Sequence, residues 1–399
     1  MAALYLVVAC LVSAGASNQT TTTTIKNTTA ARSDYWVQTR GSGKNCTQAR
    51  SESTPLPTIA QGITCISAGE TLTIKAGKYI YQFGNDIPNG TSWGNATTIR
   101  GAAGQRVIIT GSLQYDRGVR FSSASTKQYI IFDNLEFSGT AGTLYNAVKF
   151  DARTPPHNHI RLTNSEMHSA TTSCILDTGL GSGASEYLNN SIHDCGTSPT
   201  KDHGAYIQTD DNIFHNNDVY SNATNGAQFY AWEGAPSNNN VQYNRFYDNG
   251  AGGTRGDGVT VDGNNNLVAN NLSWDNDLGA GIDCLNGNAN MFYNNTVYSN
   301  LRGYETSVGC SNTEFRNNIF YLNGSVKNDA GSGTVEQTNL TTDPSFTDPD
   351  NDDFTFGPAS SAFEAGTDLS PTITDDFLKV TRPLDTYWEI GAYEIAARP

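Results

Sequence analysis

Methionine is almost absent from this 399-residue chain, with three, and charged residues make up only 16% of it. Helices draw their propensity from Ala, Leu, Glu, Lys and Met, so this shortage, beside 39 glycines and abundant asparagine, favours turns and β-structure. Basic residues are outnumbered, 24 against 39 acidic ones, for a net charge of −15. A nucleic-acid binder needs a basic footprint, so that partner is excluded, whereas a local basic groove for an acidic polysaccharide is not. No Cys-x-x-Cys pair is present, which sets cysteine-held metals aside.

The first stretch, residues 1–16, is an apolar run ending in Ala14-Gly15-Ala16 and reads as a signal peptide, without the usual basic start. The run is too short for a membrane span. Residues 17–33 form a Thr-rich linker with nothing to bury. The expectation is a secreted, extracellular monomer with no membrane partner. Six cysteines remain after Cys10 leaves with the signal, an even number that suggests disulfides. Cys174 and Cys195 are 21 apart and Cys284 and Cys310 are 26 apart, each close to one repeat. Residues one repeat apart lie within disulfide reach, so the pairs expected are Cys46–Cys65, Cys174–Cys195 and Cys284–Cys310.

The repeat itself is one phrase: NNDVYSN from Asn216, YNRFYDN from Tyr243, NNLSWDN from Asn270, NNTVYSN from Asn294 and NNIFYLN from Asn317. Its second residue recurs at Asn217, Asn244, Asn271, Asn295 and Asn318, in steps of 27, 27, 24 and 23. Fainter copies carry Asn190, Asn164 and Asn134. No helix-length periodic segment separates the strand-like runs, so parallel strands can form only if the chain coils upon itself. The fold expected is all-β, a right-handed parallel β-helix over 34–339, with Asn stacked as a ladder at one bend. Its N-terminal cap would include a short helix near 58–66, and residues 340–399 would form a C-terminal capping segment.

A Gly before each phrase opens a strand: GAYIQ at Gly204, GAQFY at Gly226, GVTVD at Gly258, GIDCL at Gly281 and GYETS at Gly303. Alternation puts Ala205, Ile207, Ala227, Phe229, Val259, Val261, Ile282 and Cys284 inside. It puts Lys149, Asp151, Asp177, Tyr206, Gln208, Gln228, Tyr230, Thr260, Asp262, Asp283 and Glu305 outside, as one ladder of carboxylates, amides, Tyr and Lys. Two insertions, AWEGAPSNNN around Trp232 and AGGTRGDG before Gly258, flank that ladder.

The opening DYWVQTRGSG…AGETLTIKAGKYI, the central HGAYIQTDDN and the ending DPSFTDPDNDDFTF…IGAYE resemble the secreted right-handed parallel β-helix proteins, pectate-lyase-like in fold. That superfamily holds polysaccharide lyases, C5-epimerases and glycoside hydrolases, with substrate along one strand face, and the resemblance implies the same here. The chemistry motifs differ, however. Lys201-Asp202-His203-Gly204 stands where an alginate-type epimerase carries an Asp-Pro-His-Asp-like motif, without the Pro.

β-Elimination on a uronic acid needs a group to neutralise the carboxylate, a base for the C5 proton and an acid for the leaving oxygen. Lys201, His203, Tyr206, Arg255 and Arg302 are the catalytic candidates. Lys149, Gln208, Gln228, Tyr230, Trp232, Glu233 and Asp257 are candidates for binding substrate. Asp151, Asp177, Asp262, Asp283 and Glu305 are candidates for holding Ca²⁺. Against these stand bland alternatives: a His that caps a turn, an aromatic that covers the coil, Arg–carboxylate surface pairs. A lyase on an acidic polysaccharide is the leading reading. A non-catalytic glycan-binding β-helix, a glycoside hydrolase and a C5-epimerase remain open.

Overall fold

The structure, a computed structural model, describes residues 34–112, 116–122, 126–151, 156–179, 183–230 and 236–396. The expected signal peptide and linker, and the candidates Trp232 and Glu233, lie outside the described residues.

Each copy of the phrase is two corners of a coil with one strand between them. In NNDVYSN, Asn216 takes a left-handed backbone (φ 56°) and Asn217 is buried. Asp218–Tyr220 is a three-residue strand, Ser221 is again left-handed (φ 52°), and Asn222 is buried. Short polar side chains tolerate that backbone region best, which is why Asn, Asp and Ser crowd the corners. A third corner, Asp211 (φ 57°) and Asn212, follows the same rule.

Where the second residue of a corner is Asn, it stacks on its counterpart one turn away. Asn190, Asn217, Asn244, Asn271, Asn295, Asn318 and Asn339 form one ladder, each amide donating to the next Oδ1 at 2.9–3.0 Å. Asn222, Asn249, Asn276, Asn300 and Asn323 form a second. Asn212, Asn239, Asn266 and Asn290 form a third. The sequence predicted one ladder and the structure has three. The second is the last letter of the same phrase, and the third falls in segments that share no phrase. Each Oδ1 also accepts a backbone N–H of the preceding turn, so the ladder amides satisfy their oxygens within the protein.

Between the corners lie three parallel sheets of twelve, ten and nine strands among the described residues. In the second sheet the middle residue of each strand points inward, as at Val219, Phe246, Val297 and Phe320. Its outer row stacks His168, His193, Tyr220, Tyr247 and Trp274 ring upon ring at 4.5–5.2 Å. The third sheet carries the Gly-led strands, and all eight residues expected inside it are buried. Its glycines have a steric cause. A Cβ on Gly226 would lie 2.6 Å from the Gly258 carbonyl and 2.8 Å from the Asn249 amide, and one on Gly281 2.3 Å from Val297 Cγ1 and 2.9 Å from the Asn300 amide, so the next strand, the core and the second ladder together leave no room.

At the N-terminal end Asp34–Val37 pairs with Thr71–Ile74. The helix Ile59–Ile63 starts at Thr58, whose hydroxyl accepts the Gln61 N–H, and buries Ile59 and Ile63. The three disulfides are those expected, with Cα separations of 5.3, 5.5 and 6.3 Å. The contact in the last is diagonal: Cys284 is in register with Thr306, and Cys310 with Gly287. Residues 340–396 pack along the flank of the later turns. Leu369, Ile373 and Trp388 sit with Ala269 and Tyr293, while Phe354, Phe377 and Tyr393 sit with Tyr243, Leu272 and Trp274. The strand Ser325–Asp329 stays exposed, with Lys327 paired to Glu336.

One expected outward residue faces inward. Asp177 is in register with Phe150 and Ile207, both core residues, and is itself buried. This turn has Cys174 in place of the Gly, and counting from Ser173 shifts the alternation by one. Asp177 accepts from Tyr187 Oη at 2.9 Å and Thr209 Oγ1 at 3.0 Å, while its Oδ1 is buried without a partner. Burial pushes its pKa up to about 6. A raised carboxyl pKa stabilises the fold fully below the unfolded value near 3.8, and that contribution is lost as pH rises through about 6. The loss amounts to about 3 kcal/mol. Asp177→Asn keeps an acceptor for Tyr187 and cannot ionise, so its stability relative to the unaltered protein should rise between pH 4 and pH 7. Urea titrations at the two pH values test this; an equal pH dependence in both proteins would refute it.

Candidate active site

The outer row of the third sheet does not repeat. In register it runs Arg120, Lys149, Leu176, Tyr206, Gln228, Thr260, Asp283, Glu305 and Asn328. A second row lies at the corner, one residue before each Gly: Ser173, His203, Asn225, Asp257, Ala280 and Arg302. Its side chains accept backbone N–H groups from the turn above. Ser173 Oγ takes His203 N at 2.9 Å, Asn225 Oδ1 takes Asp257 N at 3.1 Å, and Asp257 Oδ1 takes Ala280 N at 2.8 Å.

Tyr206, Asp283, Arg302 and Glu305 lie on, and His203, Tyr230, Arg255 and Asp257 lie just beside, a run of five consecutive strands, Ala205–Ile207 to Arg302–Ser311. The His203 ring is buried and stacks on Tyr206, centroids 5.3 Å apart and planes within 10°. Its Nδ1 is 2.6 Å from Thr224 Oγ1. Burial, with Arg255 adding to it, pulls the His203 pKa down to about 3, so the ring is neutral near pH 7. Burial pushes the Tyr206 phenol up to about 12, helped by Tyr230 and Asp262.

Arg255 binds Asp257 Oδ2 at 3.0 Å and Asp283 Oδ2 at 3.5 Å. Burial works against its charge, and the two carboxylates outweigh burial, so its pKa lies above the ordinary value. Asp283 is fully buried and its Oδ1 has no partner. Burial, then Asp257, drive its pKa well above the usual carboxylate range. Asp257 is well held instead, accepting also from Thr260 Oγ1 at 3.1 Å, a hydroxyl that Asn225 Nδ2 supports at 3.0 Å. Arg302 pairs with Glu305 at 3.2 Å. The loop over 249–258 leans on the segment before His203, with Thr254 bonded to Pro199 O and Gly252 packed on Pro199.

Other candidates lie apart from this patch or at its margin. Lys149 binds Asp151 at 3.3 Å two strands before Tyr206, and Arg120 reaches the same carboxylate at 3.4 Å. Lys201 is exposed in the segment leading to His203. Gln208 and Tyr230 are half-buried and Gln228 is buried. The acidic residues expected to hold calcium do not converge. Asp151 and Glu305 are six strands apart, about 29 Å at strand spacing, and Asp177 is in the core. Between Asp257 and Asp283 the cation is the Arg255 guanidinium. Among the described residues no three His, Cys, Asp or Glu side chains form a metal-holding group, so this donor set does not fit a calcium ion.

Sequence reasoning missed Thr224 and Asn225. Asn225 was findable, because reading the residue before each landmark Gly as a column places it between His203 and Asp257. Thr224 had no such signal, since its role depends on an adjacent turn.

Residues 117–296 match the family model described as the right handed beta helix region. The solved structure of pectate lyase Pel9A is similar at 17% identity, over 90% of this chain and 96% of that one, with a TM-score of 0.69. XylC in its complex with xylose is similar at 10% identity, over 91% and 98%, with a TM-score of 0.52. No curated protein sequence matches the chain. No helix among the described residues is long and apolar enough to cross a membrane. The chain is thus a right-handed parallel β-helix, pectate-lyase-like in architecture.

Proposed function

We propose that the protein is a secreted polysaccharide lyase that cleaves a uronate-containing chain by β-elimination on the outer face of the third sheet. The observation that carries this reading is the grouping of a neutral His and a protonated Tyr with Arg255, whose charge reaches that His from two turns away. The likeness in fold to a pectate lyase supports it, and three disulfides suit an extracellular setting.

Arg255 and Arg302 present side chains 40% and 33% exposed, each backed by a carboxylate that orients its guanidinium. Arg255 can meet the carboxylate of the sugar and stabilise the charge that builds on it as C5 loses its proton; Arg302, four strands from Tyr206 and about 19 Å away at strand spacing, can hold the carboxylate of a sugar further along the chain. His203 takes that proton. Its basicity is low in the free protein, and an anionic sugar beside it would raise it. The C5–H electrons form the C4–C5 double bond, the C4–O bond breaks, and Tyr206 donates its proton to the leaving oxygen. Return of the proton from His203 to Tyr206, directly or through water, resets the site. No step is assigned to calcium.

Incubation with polygalacturonate, alginate and glucuronan should yield an ultraviolet-absorbing unsaturated product from at least one. No absorbing product from any of them would sink the lyase reading. One feature favours a second reading. Burial and the neighbouring Asp257 push the Asp283 pKa up, and a carboxyl group raised in this way beside a second one is what the acid of a glycoside hydrolase requires. New reducing ends without the absorbing product would favour it.

A further inference from the structure

We infer that Thr224 sets the tautomer of His203, with Nε2 as the lone-pair acceptor and Nδ1 as the protonated nitrogen. The inference deepens the proposed site and rests on His203 acting there, although the tautomer itself does not depend on the substrate.

The argument is a count of protons around one hydroxyl. Thr224 Oγ1 lies 2.6 Å from the carbonyl oxygen of Asp202. A carbonyl can only accept, so at that distance the single Thr224 hydroxyl proton must point to it. The same Oγ1 lies 2.6 Å from His203 Nδ1. With its proton committed, the hydroxyl has only a lone pair left for the ring, and Nδ1 must carry the hydrogen. In a neutral imidazole the other nitrogen is then an acceptor. A half-turn of the ring would set Cδ2 against Thr224 Oγ1 and lose this hydrogen bond, so the same contact fixes which way the ring faces. The His203 backbone is held by Ser173 Oγ at 2.9 Å, and the ring lies flat against Tyr206. Thr224 is itself buried, its N–H bonded to the same Asp202 carbonyl at 3.0 Å, so its orientation is set by backbone.

The consequence is chemical. An Nε2 with a lone pair can take a proton from carbon or a hydrogen bond from a sugar hydroxyl, and it repels a carboxylate. Recognition of the uronate charge at this sugar therefore falls to Arg255, while His203 selects for a group that gives up a proton. Thr224 is a positioning residue, acting through His203 without touching substrate.

Long-range proton–nitrogen correlation spectra of the full chain, labelled with ¹⁵N at histidine, read the tautomer directly near pH 7. The His203 signals are assigned by their loss in His203→Gln. The expected result is a protonated Nδ1 and an unprotonated Nε2. Thr224→Val removes the acceptor and keeps the shape; it should shift the population toward the Nε2–H form. Turnover of a polyuronate should fall at least about tenfold in kcat, with KM changed less. Thr224→Ser should restore both. An Nε2–H tautomer in the unaltered protein, or a Thr224→Val spectrum identical to it, would overturn the inference. Should the valine variant not fold, the unaltered and serine spectra still decide. If no polyuronate is turned over, the proposed reaction fails while the spectra judge the tautomer independently.

Discussion

Tyr206→Phe should lower lyase turnover about 10²–10⁴-fold, the usual contribution of a positioned proton donor, while leaving the fold intact. The phenol belongs to a half-buried residue on an outer row, so removing its oxygen opens no cavity in the core. With the pKa pushed up to about 12, Tyr206 stays protonated throughout the neutral range and is always ready to donate. The alkaline limb of the pH–rate profile should accordingly fall near pH 12, above the ordinary tyrosine value of 10. Initial rates from product absorbance and a urea titration of the same sample check both halves. A variant that keeps its rate within tenfold would remove Tyr206 from the reaction.

Asn244→Leu should cost the protein about 3–5 kcal/mol of stability, since a stranded buried polar group costs about 1–3 kcal/mol and more than one is left. Asn244 Oδ1 accepts both Asn217 N at 2.9 Å and Asn217 Nδ2 at 3.0 Å. Its own amide donates to Phe214 O at 2.8 Å and Asn271 Oδ1 at 2.9 Å. Leucine supplies none of these, and the site is fully buried. The corresponding change at the last rung, Asn339→Leu, should cost far less, because Asn339 is half-buried and has no rung above it in the ladder. Urea unfolding of the two variants side by side measures the gap. Equal costs would show that the ladder does not act as a stack.

The solenoid was legible because its corners demand particular residues. A left-handed residue followed by a buried amide is a two-letter code, and the sequence spells it openly in NNDVYSN and its kin. The inside–outside alternation was equally plain wherever Gly marked the strand. It misled at Asp177, where Cys174 fills the glycine position and the count slipped by one residue. The site was less legible for a physical reason. Calcium was expected from a list of aspartates, but whether carboxylates meet a metal or an arginine depends on which turns they occupy. Arg255 precedes its strand by four residues, yet it reaches across to Asp283 on the next turn. The proton on Thr224 is a still finer matter, decided by one carbonyl on an adjacent turn.

The three corners also divide the labour of variation. From Asn212 to Asn217, and from Asn217 to Asn222, the chain takes five residues, and it does so again from Asn239 through Asn249 and from Asn290 through Asn300. The third side is not so constrained: Asn222 to Asn239 takes seventeen residues and Asn276 to Asn290 fourteen. Two walls of this building are cut to a fixed gauge, and every difference in turn length is absorbed by the wall that bears His203, Tyr206 and Arg255. A lineage with this architecture can therefore lengthen, shorten or exchange the loops around its reactive surface without shifting the rungs above and below. New specificities can be tried one storey at a time.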